Sequence, residues 1–360
     1  MSQHVKSLGR VGEISGKKVY VGLSGGVDSA VTAALLREAG ARVTGVFIKG
    51  WYPPGLPCTW AFERRDAMRV AARLHVPFAT LDASEEYKKD VIDYLLAEYR
   101  AGCTPNPDVM CNKEVKFGAF YHYAMARGAD FIATGHYACT PLWESSAEKS
   151  SGLLTYGPAR LFSRRLPSAA LLRGIDAAKD QSYFLWAVPR DVLLKTLFPL
   201  GGLRKEEVRS LAKRLDLPVA LKPDSQGICF LGAVSVKDFL RQELGDNPAI
   251  LHTLGERVPG GFVVGKDVEK GTIEIGHAPK SSQTIRFRTA NHLADWSGPV
   301  TAQYRYHGPI VKGLVNPTSD VGSTRPYIFE SNEPLPEMPA PGQSLVFYRD
   351  DECIGGGIIE

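Results

Sequence analysis

"GLSGGVDS", residues 22–29, is the stretch whose reading decides the fold. Just upstream, "KKVYVGLS" (17–24) is a short β-type apolar run, and just downstream "DSAVTAALLREAG" (28–40) has helical periodicity and is closed by Gly40. The three pieces read as strand, tight turn and helix. In such a turn Ser24, Gly25 and Gly26 leave backbone N–H groups at a helix N-terminus, and their small size lets a phosphate-sized anion approach. No Gly-Lys-Ser/Thr follows and the spacing is not GxGxxG, so the turn is neither a Walker A loop nor a dinucleotide fingerprint. A plain glycine turn capped by Asp28 is the bland alternative.

The flanking chain repeats the same alternation. "ARVTGVFIKG" (41–50) reads as a second strand, the Pro-rich "WYPPGLPCTW" (51–60) as a loop, and "AFERRDAMRVAARLH" (61–75) as a helix. "VPFATLDAS" (76–84) supplies a third strand, with Ser84 as N-cap of the helix "EEYKKDVIDYLLAEYRAG" (85–102). "KEVKFGAFYHYAMARG" (113–128) and "DFIATG" (130–135) add a helix and a strand. Alternating units of this length predict a parallel sheet with helices on both faces. Residues 137–172 read as an irregular insertion or extended hairpin, and helices are expected again at 181–188, 190–198 and 204–218. Beyond about Gly255, short β-type runs broken by Gly and Pro predict a small barrel or sandwich.

A chain of 360 residues with 44% hydrophobic and 23% charged side chains is an ordinary globular protein of two or three units. Its net charge of +4 selects no partner. Cys58, Cys103, Cys111, Cys139, Cys229 and Cys353 form neither a CxxC pair nor a zinc-type repeat, so no disulfide framework is expected. No apolar run approaches the roughly 18 residues of a membrane span, and a cytoplasmic protein without membrane partners is expected.

"TPNPDVMCNKEVKFG" (104–118) is the second informative stretch. Prolines on both sides of Asn106 impose an extended turn, which sets Asp108 and Cys111 just ahead of a helix whose dipole lowers a thiol pKa. A helix cap made by Asp108 or Asn112 beside a buried Cys is the alternative.

"SGGVDS" resembles the signature of the PP-loop ATP pyrophosphatases. Together with "NPDVMCN", "ATGHYA", "KDQSYFLW", "DSQGICF", "PGQSLVFY" and the terminal "GGGIIE", in that order between residues 17 and 360, it resembles the tRNA-specific 2-thiouridylases. The resemblance implies an α/β protein. It would comprise an adenine nucleotide α-hydrolase-like (PP-loop) parallel-sheet domain over 1–200, a connector with the persulfide loop over 201–256, and a tRNA-binding β-barrel over 257–360. It implies ATP-dependent 2-thiolation of the wobble uridine of tRNA with release of AMP and pyrophosphate. Cys229 would carry the persulfide and Cys111 would release the sulfur by forming a disulfide with it. That agrees with uracil chemistry, where the 2-oxygen leaves only after adenylation.

Asp108 would act as acid/base or orient the base. ATP would meet Gly22, Leu23, Ser24, Gly25, Gly26, Val27, Asp28, Ser29, Ile48 and Gly135, with Asp28 helping to hold Mg2+. The target base would meet Asn106, Pro107 and Asp108. Other tRNA contacts would come from His136, Lys179, Asp180, Gln181, Arg305, Tyr306 and Gln343. The implied partners are tRNA and a persulfide donor protein, and a monomer is expected. An iron–sulfur cluster on some of the remaining thiols stays open. The chain departs from the family between Gly255 and Val264, in "GERVPGGFVVGKD", where the family carries a longer segment. The rival readings are another PP-loop adenylating enzyme, which needs no cysteine pair, and a tRNA-binding relative without turnover.

Overall fold

A computed structural model describes residues 14–53, 60–141, 170–224, 235–277, 282–316 and 327–360, and the backbone of 147–150 and 153–156. The chain opens with β1 (Lys18–Gly22), α1 (Val27–Glu38), β2 (Arg42–Lys49), α2 (Trp60–Arg73) and β3 (Phe78–Asp82). Helix α3 runs through Ser84–Tyr87, a wider π-helical stretch Lys88–Asp93, and Tyr94–Arg100. Helix α4 is built the same way from Pro107–Met110, Cys111–Ala119 and Phe120–Met125, and β4 (Phe131–Ala133) follows. Ser84 is the first helical residue rather than the cap predicted for it. Its hydroxyl is turned back onto Asp82 (2.5 Å) and the Gly50 carbonyl (3.1 Å).

Next come β5 (Ala138–Cys139), a hairpin of β6 (Ala147–Ser150) and β7 (Leu153–Tyr156), and β8 (Leu171–Arg173). Two predicted helices are smaller than expected. Residues 181–188 hold a single 3-10 turn, Ser182–Leu185, and 190–198 hold a short α5 (Arg190–Leu193) followed by β9 (Thr196–Leu197). Strand β9 is claimed by β4, with which it pairs in parallel, so tertiary pairing overrides a helical local pattern. The sheet order is β3-β2-β1-β4-β9, every neighbouring pair parallel, as the alternation predicted.

Both faces of this sheet are covered. On one, α1, α2 and α6 (Lys205–Arg214) bury Val31, Ala34, Val70, Val208 and Leu211 against Val19 and Val21. Packing thus runs past residue 200 into the segment expected to begin a connector. On the other face, α3 and α4 bury Leu95, Val115, Phe117 and Phe120 against Val46 and Ile132. That second core continues through Tyr183 and Trp186 into Leu293, Val346, Tyr348 and Ile358 of the C-terminal strands. Each such side chain is worth about 1.5–3 kcal/mol on burial, so the two regions are fused by far more than thermal energy.

Helices α7 (Val236–Leu244) and α8 (Pro248–Leu251) precede a separate antiparallel sheet of β10 (Arg257–Val258), β11 (Gly261–Asp267) and β12 (Thr272–Gly276). Residues 257–276, expected to open the barrel, therefore pair among themselves, and Asn247 and Lys266 tie them to Val268 and Gly102. The barrel proper is β13 (Thr284–His292), β14 (Val300–Gln303), β15 (Ile310–Asn316), β16 (Tyr327–Ser331), β17 (Ser344–Arg349) and β18 (Glu352–Ile359). It is ordered β13-β16-β15-β14-β17-β18 and closed by β18 on β13. The first residues of β18 pair instead with β8, which continues the barrel sheet onto β5.

Candidate active site at the carboxyl ends of the parallel strands

Strand β1 lies between β2 and β4, and the chain reverses its direction of sheet growth between β1 and β4. Open α/β sheets bind ligands at such a switch point, outside the carboxyl ends of the strands. The turn after β1 is organised by its own hydroxyls. Ser29 Oγ accepts from Ser24 N (3.2 Å) and donates to Gly26 O (3.2 Å), while Gly26 N donates to Ser24 Oγ (3.3 Å). Gly25 has φ +76°, and a Cβ there would lie 2.4 Å from the Glu63 carbonyl oxygen. Across the crevice, a Cβ on Gly135 would lie 2.8 Å from Ser29 N, so this glycine lets the segment after β4 pass against the first turn of α1. Ile48 closes the β2 side, its Cδ1 3.8 Å from the position of a Gly22 Cβ.

A cluster of charges that the sequence did not reveal flanks the turn. Glu207 and Asp176 accept the first backbone N–H groups of α6, from Arg204 (2.7 Å) and Lys205 (2.9 Å). This fixes Lys205, whose side chain is only 13% exposed, with Nζ 2.7 and 2.9 Å from the two oxygens of Asp28 and 2.9 Å from Asp224. Tyr137 donates to Asp28 (2.9 Å), and burial together with that carboxylate pushes its pKa far up. Lys222 bonds Gly25 O (3.0 Å) and Asp66 (2.9 Å). Asp224 also receives Lys179 (3.1 Å) and Arg209 (2.6 Å). Burial works against its charge, but Lys205 and Lys179 overcome it and hold the carboxyl at about 2.

Because the folded pKa lies below the unfolded value of about 3.9, Asp224 stabilises the fold above pH 4 and that contribution disappears between about pH 4 and 2. Asp224→Asn is therefore expected to have a lower urea midpoint than the parent at pH 7, with the gap closing towards pH 2. A constant gap across that range would mean that the carboxylate charge is not what counts.

The Asn106–Cys111 segment differs from its reading in one respect. Asn106 is the helix cap, its Oδ1 accepting from Asp108 N (3.1 Å) and Val109 N (3.4 Å), and Pro107 takes the first helical position, where its missing N–H costs nothing. Cys111 thus sits a full turn inside α4, 7% exposed, rather than ahead of a helix start. Asp108 is pushed above the ordinary carboxyl range by burial, against a weaker downward pull from Lys116. His136 is buried between Phe117 and Phe198, with Nδ1 2.7 Å from Thr134 Oγ1. Burial, seconded by Lys116, drives its pKa well below the usual value, so the ring is neutral.

The remaining candidates are spread over the region where the sheet domain meets the barrel. Asp180 points inward, its side chain 8% exposed, accepting from Arg173 (3.2 Å), Gly174 N (2.9 Å), Ser182 N (3.1 Å) and Ser182 Oγ (3.0 Å). Its neighbour Gln181 bonds Tyr137 through both backbone (2.8 Å) and side chain (3.0 Å). Tyr306 packs on Phe184, ring centroids 4.4 Å apart, and Arg305 pairs with Glu337 (3.0 Å). Gln343 donates to the Thr104 carbonyl (2.6 Å). Cys229, like Cys58, lies outside the described residues. Sequence reading missed Lys205, Lys222, Asp224 and Tyr137 as site residues. Lys205 and Asp28 are separated by 177 positions, and no local pattern joins them.

Comparison with known proteins gives two family matches, "tRNA methyl transferase HUP domain" over residues 17–233 and "Aminomethyltransferase beta-barrel domain" over 282–359. The chain is 39% identical over 382 aligned positions to a tRNA-specific 2-thiouridylase MnmA of Streptococcus thermophilus, and 38% identical to one of Streptococcus agalactiae. Each alignment covers 95% of both chains. Among solved structures, a 4-thiouridine synthetase–RNA complex with bound ATP matches at 21% identity and TM-score 0.35, covering 65% of this chain and 52% of that one. The NMN synthetase of Francisella tularensis matches at 17% and 0.33, covering 72% and 89%. The two family descriptions speak of methyl groups while the full-length relatives are named for thiolation. Identity at this level over nearly the whole chain decides between them, and the protein belongs to the tRNA-specific 2-thiouridylase family.

Proposed function

We propose that this protein replaces the 2-oxygen of a tRNA wobble uridine with sulfur at the expense of ATP. The observation that carries the reading is the glycine turn after β1, folded on the Ser24 and Ser29 hydroxyls, in a chain of this family that carries the half-buried Asp108 carboxyl and the buried Cys111 thiol on one helix. The crevice between β1 and β4 takes ATP, its phosphates against residues 22–29 and its adenine side towards Ile48 and Gly135. A magnesium ion bound largely by phosphate oxygens needs one or two carboxylates. Asp28 would hold it by giving up part of its contact with Lys205, which now spans both carboxylate oxygens, and the ion would supply neutralising charge to the triphosphate. Among the described residues no group of three His, Cys, Asp or Glu forms a further metal site. Lys205 already places one ammonium at Asp28.

The uracil enters beside Asn106, Pro107 and Asp108. Asp108 takes the N3 proton as O2 attacks the α-phosphate, expelling pyrophosphate. The terminal sulfur of a Cys229 persulfide then adds at C2 and AMP leaves, which gives a Cys229–S–S–C2 linkage. The Cys111 thiolate attacks Cys229 Sγ, the electron pair passes to the sulfur on C2, and a Cys111–Cys229 disulfide remains. An external dithiol reduces it and a donor protein reloads the persulfide. Asp224, the last described residue before Cys229, is tethered to Lys205, which also reaches Asp28 of the turn. Arg305, Tyr306 and Lys179 supply RNA contacts from the barrel and the connector side.

Purified protein incubated with ATP, Mg2+, a persulfide donor and unmodified tRNA is expected to yield 2-thiouridine by nucleoside mass spectrometry, with AMP formed one for one. Absence of both products from a folded, persulfide-loaded enzyme would overturn the proposal.

A further inference from the structure

We infer that Gln343, together with the barrel turn Pro341–Gly342–Gln343, is a positioning device for the catalytic segment. The inference rests on the thiolation reading only for what the segment does. Thr104 is held on both sides of its peptide. Its N–H donates to the Pro341 carbonyl (2.7 Å), and its own carbonyl accepts from Gln343 Nε2 (2.6 Å). Gly342 lies between these two bonds with φ +89°, and a Cβ there would fall 2.9 Å from both N and C of Thr104, so the turn seats flush against the loop backbone. The turn is itself anchored, since Gly342 N donates to Ile359 O (2.8 Å) and Ile359 N to Gln343 O (2.9 Å) at the end of β18. The carboxamide nitrogen is thus engaged by the loop backbone, on an anchored turn.

What Thr104 feels is passed on stiffly. Pro105 and Pro107 lock their own φ near −65°, and Asn106, placed before a proline, is confined to extended backbone, observed at φ −106°, ψ 100°. Three residues, Thr104 to Asn106, therefore connect the barrel clamp to α4, each of them a proline or confined by the proline that follows it. Asn106 then caps the helix that carries Asp108 and Cys111. The clamp fixes where α4 begins, and hence where the carboxyl and the thiol meet the base.

The test uses full-length protein with Gln343→Ala and Gln343→Glu. The Glu side chain keeps the length and packing but offers no N–H to the Thr104 carbonyl. Removing one hydrogen bond of this kind is expected to speed amide hydrogen exchange across residues 104–111 by about three- to tenfold. The thiolation kcat is expected to fall by at least as much, with exchange in the rest of the barrel unchanged. Equal behaviour of Ala and Glu identifies the donated bond as the cause. A raised tRNA KM with kcat and exchange unaltered would limit Gln343 to an RNA contact and overturn the inference, as would no change in any readout. If wild-type protein makes no 2-thiouridine, the functional reading fails while the exchange measurement still decides the clamp.

Discussion

Cys111→Ser is expected to abolish multiple-turnover formation of 2-thiouridine, a loss of ~10³-fold or more, and to stop the reaction at a defined point. A serine hydroxyl cannot cleave the Cys229–S–S–C2 linkage by forming a disulfide. The persulfide sulfur would still add at C2 and AMP would still leave, so tRNA should accumulate covalently on the protein. That adduct should survive denaturing electrophoresis and dissolve on treatment with a thiol, which would release 2-thiouridine. Cys229→Ser should form no adduct at all, and the double variant should be no worse than Cys229→Ser alone, because residues acting in one sequence are not additive. The burial of Cys111 fits this role, since it shields the thiol from adventitious oxidation until the base is in place. Undiminished turnover in either single variant would sink the two-thiol route and favour an adenylating enzyme with a different acceptor.

Asp108→Asn is the second large effect, an expected fall in kcat of about 10²–10⁴-fold, the usual worth of a positioned proton acceptor. The substitution leaves the helix start intact, because the cap is the Asn106 side chain bonding the backbone N–H of Asp108. Burial raises the Asp108 pKa, which makes the carboxylate a better base for N3. Below that raised value the group is protonated and cannot take the proton, so the wild-type rate should decline towards acid with a midpoint above the ordinary value of about 3.9. The same shift has a stability consequence of opposite sign. An acid whose folded pKa exceeds its unfolded one stabilises the fold at low pH and loses that contribution as pH rises through the folded value. Asp108→Asn should therefore be more stable than the parent at pH 7 and lose this advantage in acid. A variant that is slower and also less stable at neutral pH would point to a structural role for the carboxylate.

Much of the parallel sheet was legible locally, because each of its first three strands is followed by its own turn or loop and helix. The glycine turn at 22–29 carries its meaning within eight residues, and the structure realises it with Gly25 at positive φ and the Ser24 and Ser29 hydroxyls folded into the loop. Where local pattern and tertiary partner disagreed, the partner prevailed. Thr196–Leu197 became a strand because β4 needed a neighbour, and residues 257–276 became a separate sheet because their ladder closes on itself. Position relative to a helix was also misread at Cys111. Pro107 can open a helix as readily as it can delay one, and only the geometry of Asn106 chose.

Residue types and their order along the chain carried by themselves the strand–turn–helix at 22–29 and the series of short motifs that resembles the 2-thiouridylases, since that information sits within strings a few residues long. Tertiary structure alone decided which groups stand beside them. It brought Lys205 onto Asp28 and Asp224 beside the turn, turned Asp180 and His136 inward, and set Gln343 on the Thr104 carbonyl. The Lys205–Asp28 and Gln343–Thr104 pairings join positions 177 and 239 residues apart. They arise because two hydrophobic cores fuse sheet, helices and barrel into one body, and no local periodicity records where such a body folds back on itself.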